Sequence, residues 1–222
     1  LTESFRALRT HIDFMLGSGG YPAVMGVSSS ISGEGKSFCS ANLGAVLAMT
    51  RKKVLVVGMD MRKPRTHLEF KIPNKKGLSN YLIGQNTFQE IQILSELPDL
   101  YIIPAGPVPP NPAELLQSDQ MNDFLNEARK AFDIVILDMP PMALVTDALL
   151  VTRRTDLNLF VLRQRYSRKQ AIQYIHRIYH SGRAGKTGLV INDVKISGPY
   201  AETSGYGYAY SRYRKSGYYE DY

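Results

Sequence analysis

The chain alternates between two hydrophobic periods. Residues 2–16 space Phe5, Leu8, Ile12 and Met15 three or four apart, the stripe of an amphipathic helix. Pro22 to Val27 is a short apolar run, read as a strand. A loop rich in Gly and Ser separates it from a helix expected from Ser37 to about Met49. Lys53 to Val57 reads as a buried strand, and residues 62–76, polar and broken by proline, as a loop. Gly77 to Ile83 and Thr87 to Leu94 read as short helices, and Leu100 to Pro104 as a strand. Pro112 suits the first turn of a helix, and Gln120 to Ala131 continues helical. Then come a strand at Asp133–Leu137, a helix at Asp147–Val151, a strand at Leu157–Leu162, a helix at Arg168–His180 and a last strand at Thr187–Ile191. Such alternation predicts an α/β fold, a mostly parallel sheet with helices on both faces. Ligands of such sheets bind beyond the carboxyl ends of the strands.

The periodic part ends near residue 196, and the remaining residues differ in composition. Eight of the 14 tyrosines lie from residue 200 onward, among Gly, Ser, Ala and Arg. With almost no aliphatic residues, this segment cannot bury enough apolar surface to offset its ordering entropy. The expected division is therefore a folded domain over 1–196 and a flexible tyrosine-rich tail over 197–222. The amphipathic opening, with Glu3, Arg6, Arg9 and Asp13, does not read as a signal peptide. A single cysteine, Cys39, excludes an internal disulfide framework or a cysteine-pair metal site. The net charge of +7 is concentrated. Residues 51–76 hold nine Lys or Arg against Asp60 and Glu69, and residues 163–186 hold seven and no acid. No aromatic recognition motif accompanies these stretches, so nucleic acid is not the expected partner.

Three motifs carry chemistry. Gly26-Val-Ser-Ser-Ser-Ile-Ser-Gly33-Glu-Gly35-Lys36-Ser37 follows a strand and opens a helix, the context of a phosphate-binding P-loop. Glycines let backbone N–H groups close round an anion, Lys36 offsets β/γ-phosphate charge, and Ser37 ligates Mg²⁺. Ser32, Gly33, Glu34, Gly35 and Phe38 complete the expected nucleotide contacts. The position usually held by the first glycine is Ser30. Phe132 to Pro141 contains an apolar strand ending in Asp138, the form of a Walker B carboxylate held near Mg²⁺. Val54 to Pro64 is a second strand, delivering Asp60 and then Arg62 and Lys63 to the same crevice. Asp60 could orient or deprotonate an attacking hydroxyl or hold Mg²⁺, and Arg62 could contact phosphate. The plainer reading is a strand cap before a solvated basic loop. His176 and His180 have metal-compatible spacing without a third ligand and read as surface residues. Asn192 follows the last strand, where it could touch the adenine edge or simply make a turn.

At these residues the chain resembles the bacterial tyrosine kinases, the cytoplasmic kinase domains attached to polysaccharide co-polymerases. Ser28 to Ser37 is similar to that family's Walker A, Val54 to Pro64 to its A′ motif, and Ile134 to Pro141 to its Walker B. Glu3-x-x-Arg6-x-x-Arg9 is similar to its oligomerisation motif. Asn111 to Leu116 and Val145 to Ala148 also match family segments. The family's A′ motif carries two aspartates, and here the first is Gly58 and only Asp60 remains. Partitioning and septum-placement ATPases share the fold but carry a signature lysine where this chain has Ile31.

The resemblance implies an ATP- and Mg²⁺-dependent protein-tyrosine kinase with Lys36, Asp60, Arg62 and Asp138 catalytic and Ser37, Asp60 and Asp138 at the metal. Its acceptors would be its own tail tyrosines, Tyr206, Tyr208, Tyr210, Tyr213, Tyr218, Tyr219 and Tyr222. It implies head-to-tail rings through Glu3, Arg6 and Arg9, with tails feeding neighbouring sites. Pairing of these charges within one helix is the alternative. The implied partners are a membrane co-polymerase or activator, fused or separate, and a phosphotyrosine phosphatase. The implied place is the inner face of the bacterial membrane, with a role in capsule and exopolysaccharide export. A nucleotide-switched assembly module with little transfer is the other reading, and Gly58 is its support.

Overall fold

In the computed structural model, residues 2–17, 20–142 and 147–195 are described. The elements run α1 (Thr2–Leu16), β1 (Ala23–Ser29), α2 (Lys36–Ala48), β2 (Val54–Gly58), α3 (Thr66–Glu69), α4 (Leu78–Leu82), β3 (Ile93–Leu94), β4 (Leu100–Ile103), α5 (Pro112–Gln117), α6 (Asp119–Ala131), β5 (Ile134–Asp138), α7 (Asp147–Thr152), β6 (Leu157–Arg163), α8 (Lys169–His180) and β7 (Thr187–Asn192). The strands form one seven-stranded sheet, in the order β3-β4-β2-β5-β1-β6-β7. Every pairing is parallel except β3 with β4.

The period of two sorts the strand residues into two cores. Val54 and Val56 of β2, with Ile134 and Ile136 of β5, face α1 and α2, where Phe5, Ile12, Leu43 and Leu47 cover them. Leu55, Val57, Val135 and Leu137 face the opposite layer of α4, α6 and α8, with Leu78, Phe124 and Ile175. Residues 1–192 make one unit, and a second begins at Asp193, with only residues 193–195 of it described. The tail tyrosines, and Val145 and Thr146 of the family segment, lie outside the described residues. Among the described residues no helix is long and apolar enough to cross a membrane.

Two sequence expectations are corrected. Thr87–Leu94 is not a helix: it forms turns and then β3, which pairs antiparallel with β4 as Ile93 opposite Ile102 and Leu94 opposite Tyr101. Phe88 and Ile91 imitate a helical stripe, and both are buried, but the open edge of β4 offers the backbone a better partner. The segment 62–76 is not loop throughout, for α3 makes one turn within it.

Cys39 sits inside α2, nearly inaccessible, and burial pushes its thiol up to about 12, with the charges of Asp138 and Glu69 adding to the rise. A protonated thiol is a poor nucleophile. Labelling by a thiol reagent at pH 8 should therefore be slow in the native chain and fast after denaturation. Equal rates would show that α2 is not packed as described. The folded form holds its thiol proton more tightly than the unfolded form. Its contribution to stability is thus intact below the ordinary thiol range and lost as pH rises toward 12.

Candidate functional site

The carboxyl ends of β1, β2 and β5, three adjacent strands, meet at one crevice. From β1 the chain turns through Gly33 (φ 89°) and Gly35 (φ 94°) into α2. Gly35 needs to be glycine twice over. Its φ is left-handed, and a Cβ there would stand 2.1 Å from the side-chain Nδ2 of Asn192. Because Gly35 is also the N-cap, no side chain caps α2. The positive end of the helix and its first amides are left to face a ligand.

Ser30, at the place of the usual first glycine, donates its hydroxyl to Glu34 Oε1 at 2.7 Å, and the Ile31 amide donates to Glu34 Oε2 at 2.8 Å. Ser167, after β6, also donates to Oε1. Glu34 is wholly buried, so its side chain ties the loop together from within and is not on the cavity wall. Three more contacts clamp the loop from outside: Tyr166 hydroxyl to Ser32 O (3.0 Å), Arg163 to Gly33 O (3.2 Å) and Asn192 Nδ2 to Glu34 O (3.1 Å). Asn192, expected at the adenine edge or in a turn, thus braces the phosphate loop. Together these bonds tie the loop to β6, β7 and the turn after β6.

Beside the loop lies a cavity of about 480 Å³. Ser32, Gly33, Gly35, Lys36, Ser37, Phe38, Asp60 and Arg62 line it, so most of the expected nucleotide and catalytic residues are brought together. Lys36 Nζ stands 3.4 Å from Asp138 Oδ1, 3.6 Å from Asp60 Oδ2 and 3.4 Å from Ser37 Oγ. Asp138 is fully buried behind it, and Asp60 is held by the Lys63 amide at 3.0 Å. Phe38 packs edge-on against Phe5, 6.1 Å between centroids, so α1 touches a wall of the cavity. On α1, Glu3 and Arg6 are exposed and paired at 3.3 Å, the intrahelical pairing, while Arg9 is half-buried.

Sequence reasoning placed Lys63 at the crevice, where it lines the cavity, but missed Arg65, Glu69, Pro140 and Pro141. It also missed Thr66, whose hydroxyl donates to Asp138 Oδ2 at 2.6 Å. Burial and the nearby charge of Asp138 raise the Glu69 carboxyl, against an opposing pull from Lys36. The one available signal was position: Arg65 to Glu69 closely follow Asp60 and Arg62, and Pro140 and Pro141 end the Walker B run. Nothing local could have indicated Ser167.

Among the described residues no group of three His, Cys, Asp or Glu side chains is placed to hold a metal. Mg²⁺ keeps several waters and takes one or two carboxylates plus substrate phosphates, so its binding does not require such a group. Ser37, Asp60 and Asp138 supply such oxygens beside Lys36.

The model of a family described as an AAA domain matches residues 23–183. The tyrosine-protein kinase YwqD of Bacillus subtilis is 34% identical over 93% of this chain and 85% of its own length. The tyrosine-protein kinase ptk of Acinetobacter johnsonii is 33% identical over 88% of this chain, which spans only 26% of that protein. The solved kinase domain of the Escherichia coli tyrosine kinase ETK superposes with a TM-score of 0.83 at 31% identity, covering 89% of this chain and 77% of that one. The septum site-determining protein MinD of Pyrococcus horikoshii, solved with Mg-ADP, shares the fold alone: 18% identity, TM-score 0.65, 81% of this chain and 75% of that one. With Walker A, A′ and Walker B converging on Lys36 and kinases matched along nearly all its length, the chain belongs to the bacterial tyrosine kinases.

Proposed function

We propose that the chain transfers the γ-phosphoryl group of ATP to tyrosines of its own C-terminal cluster, Tyr206 to Tyr222, on a neighbouring copy. The carrying observation is Lys36, poised between Asp60 and Asp138 on the wall of a cavity that opens beside the phosphate loop. The triphosphate lies over Gly33 to Ser37. Lys36 leaves its two carboxylates for the phosphates, and Arg62 steadies the transferring group from the rim. Asp60 orients the incoming phenol. The phenolic oxygen forms the new O–P bond as the bond to the β–γ bridging oxygen breaks, and ADP leaves. The phenolic proton passes to Asp60. A phenol with a pKa of about 10 gains little from a carboxylate base alone, so positioning and charge carry most of the rate. The chemistry that a bound Mg²⁺ supplies here is neutralisation of phosphate charge, through Ser37 and the oxygens of Asp60 and Asp138.

Glu3, Arg6 and Arg9 of adjacent copies would join head to tail and close a ring. Each tail phosphate adds a charge of about −1.5 to −2, so a heavily modified ring would loosen. The setting is the inner membrane face, where a co-polymerase or activator governs capsule and exopolysaccharide export and a phosphatase resets the tail. Similarity to kinases that are several-fold longer supports this setting. Gly58 favours a second reading, an ATP-switched assembly module with little transfer.

Incubation of the purified chain with ATP and Mg²⁺, followed by intact mass and phosphotyrosine mapping, separates the two. Stepwise phosphate gain on the cluster is the expected result. Nucleotide binding without any phosphotyrosine would favour the switch, and no nucleotide binding would defeat both.

A further inference from the structure

Gly58 and Asp138 are register partners at the ends of β2 and β5. The space over Gly58 is filled. A Cβ there would lie 2.8 Å from Thr66 Oγ1, 3.1 Å from Thr66 Cβ and 3.0 Å from the Ala105 amide nitrogen. Thr66 opens α3 and is 3% exposed. Its hydroxyl donates to Asp138 Oδ2 at 2.6 Å, while Oδ1 of the same carboxylate faces Lys36 Nζ at 3.4 Å. A buried hydroxyl, not a third carboxylate, therefore abuts Asp138 on the Gly58 side.

Chemically the two differ. A carboxylate at that place would add negative charge next to Asp60 and Asp138 and could donate nothing. A hydroxyl donates a charge-assisted bond, shorter and stronger than one between neutral groups. It satisfies one oxygen of a fully buried carboxylate and sets its rotation, so the other oxygen is presented to the cation side. Groups that orient a metal-site carboxylate from behind commonly matter about 10–100-fold.

We propose that Thr66 is a positioning residue of the phosphoryl-transfer site: its hydroxyl locks Asp138 with one oxygen toward Lys36 and Mg²⁺, in the space left by the missing side chain at Gly58. The proposal rests on the kinase reading for its activity readout, but its binding readout is independent of transfer.

The test compares Thr66→Val, close to isosteric but without the hydroxyl, with Thr66→Ser, which keeps it. Two quantities are read: the Mg²⁺ midpoint for binding a fluorescent ADP analogue, and the rate of tail phosphorylation at fixed ATP and Mg²⁺. Thr66→Val should need about 10-fold more Mg²⁺ and transfer about 10-fold more slowly, with Thr66→Ser within about 2-fold of wild type. A wild-type midpoint and rate in Thr66→Val overturns the proposal. So does equal impairment of the Val and Ser variants, because packing alone would then explain the loss. If Thr66→Val does not fold, Thr66→Ala against Thr66→Ser decides by the same criteria. A wild type that binds Mg-ADP but transfers nothing defeats the kinase reading, and the Mg²⁺ midpoints then decide the role of Thr66. A wild type that binds no magnesium nucleotide overturns both.

Discussion

Lys36→Met is expected to lower the rate of tail phosphorylation by about 10³-fold or more, the loss typical of removing a principal electrostatic stabiliser. Methionine preserves length and shape but brings no charge. In the proposed reaction the γ-phosphoryl then loses the cation of the phosphate loop. The same substitution should also weaken the empty fold. Lys36 is the cation shared by Asp60 and Asp138, and all three side chains are at least nine-tenths buried. Removing one partner of a buried ion pair costs about 3–5 kcal/mol, because the remaining charge is left uncompensated. For a chain of this size that corresponds to a fall in Tm of about 10 °C. The two effects separate experimentally: circular dichroism and thermal melting report the second, phosphate incorporation below the melting range the first. A Lys36→Met chain that acquires phosphate as fast as wild type would remove Lys36 from the mechanism. One that melts with wild type would show that the triad is not formed in solution.

Gly58→Asp, which reinstates the carboxylate common in the A′ motif, is expected to harm rather than help. The new Cβ would press on Thr66 Oγ1 at 2.8 Å and on the Ala105 backbone nitrogen at 3.0 Å. Threonine is β-branched and stiff, and its hydroxyl is committed to Asp138. Overpacking of this kind costs about 1–3 kcal/mol. The added charge enters beside Asp138, a second buried carboxylate, and worsens the balance. Melting should fall by several degrees, and transfer should not rise. Combining Gly58→Asp with Thr66→Ala relieves the crowding and should recover part of the lost Tm. A Gly58→Asp single variant that is both as stable as wild type and faster would show that Thr66 yields the space freely.

Much of the site was legible in the chain itself. The P-loop, the Walker B strand and the A′ strand are contiguous runs, each with a local signal: an apolar stretch of strand length, a turn at glycine, a helix expected from Ser37. The Ser30 departure was visible as well, but not its meaning. Only the folded chain shows that the Ser30 hydroxyl binds Glu34 and that the Glu34 side chain is an internal tie. The misread of Thr87–Leu94 has a similar cause. Phe88 and Ile91 sit three apart on what looks like a helical face, and a segment that short has no periodicity strong enough to outweigh an available sheet edge.

The sequence alone determined the layered α/β architecture, the phosphate loop and the family, since these depend on patterns spanning a few turns of chain. Tertiary structure decided which hydroxyl meets which carboxylate. Thr66 reaches Asp138 across 72 residues and Ser167 reaches Glu34 across 133. Such pairings leave no local period or spacing to read. They arise because packing two helical layers on one sheet brings the ends of β1, β2 and β5 together, and because carboxylates buried there must find donors.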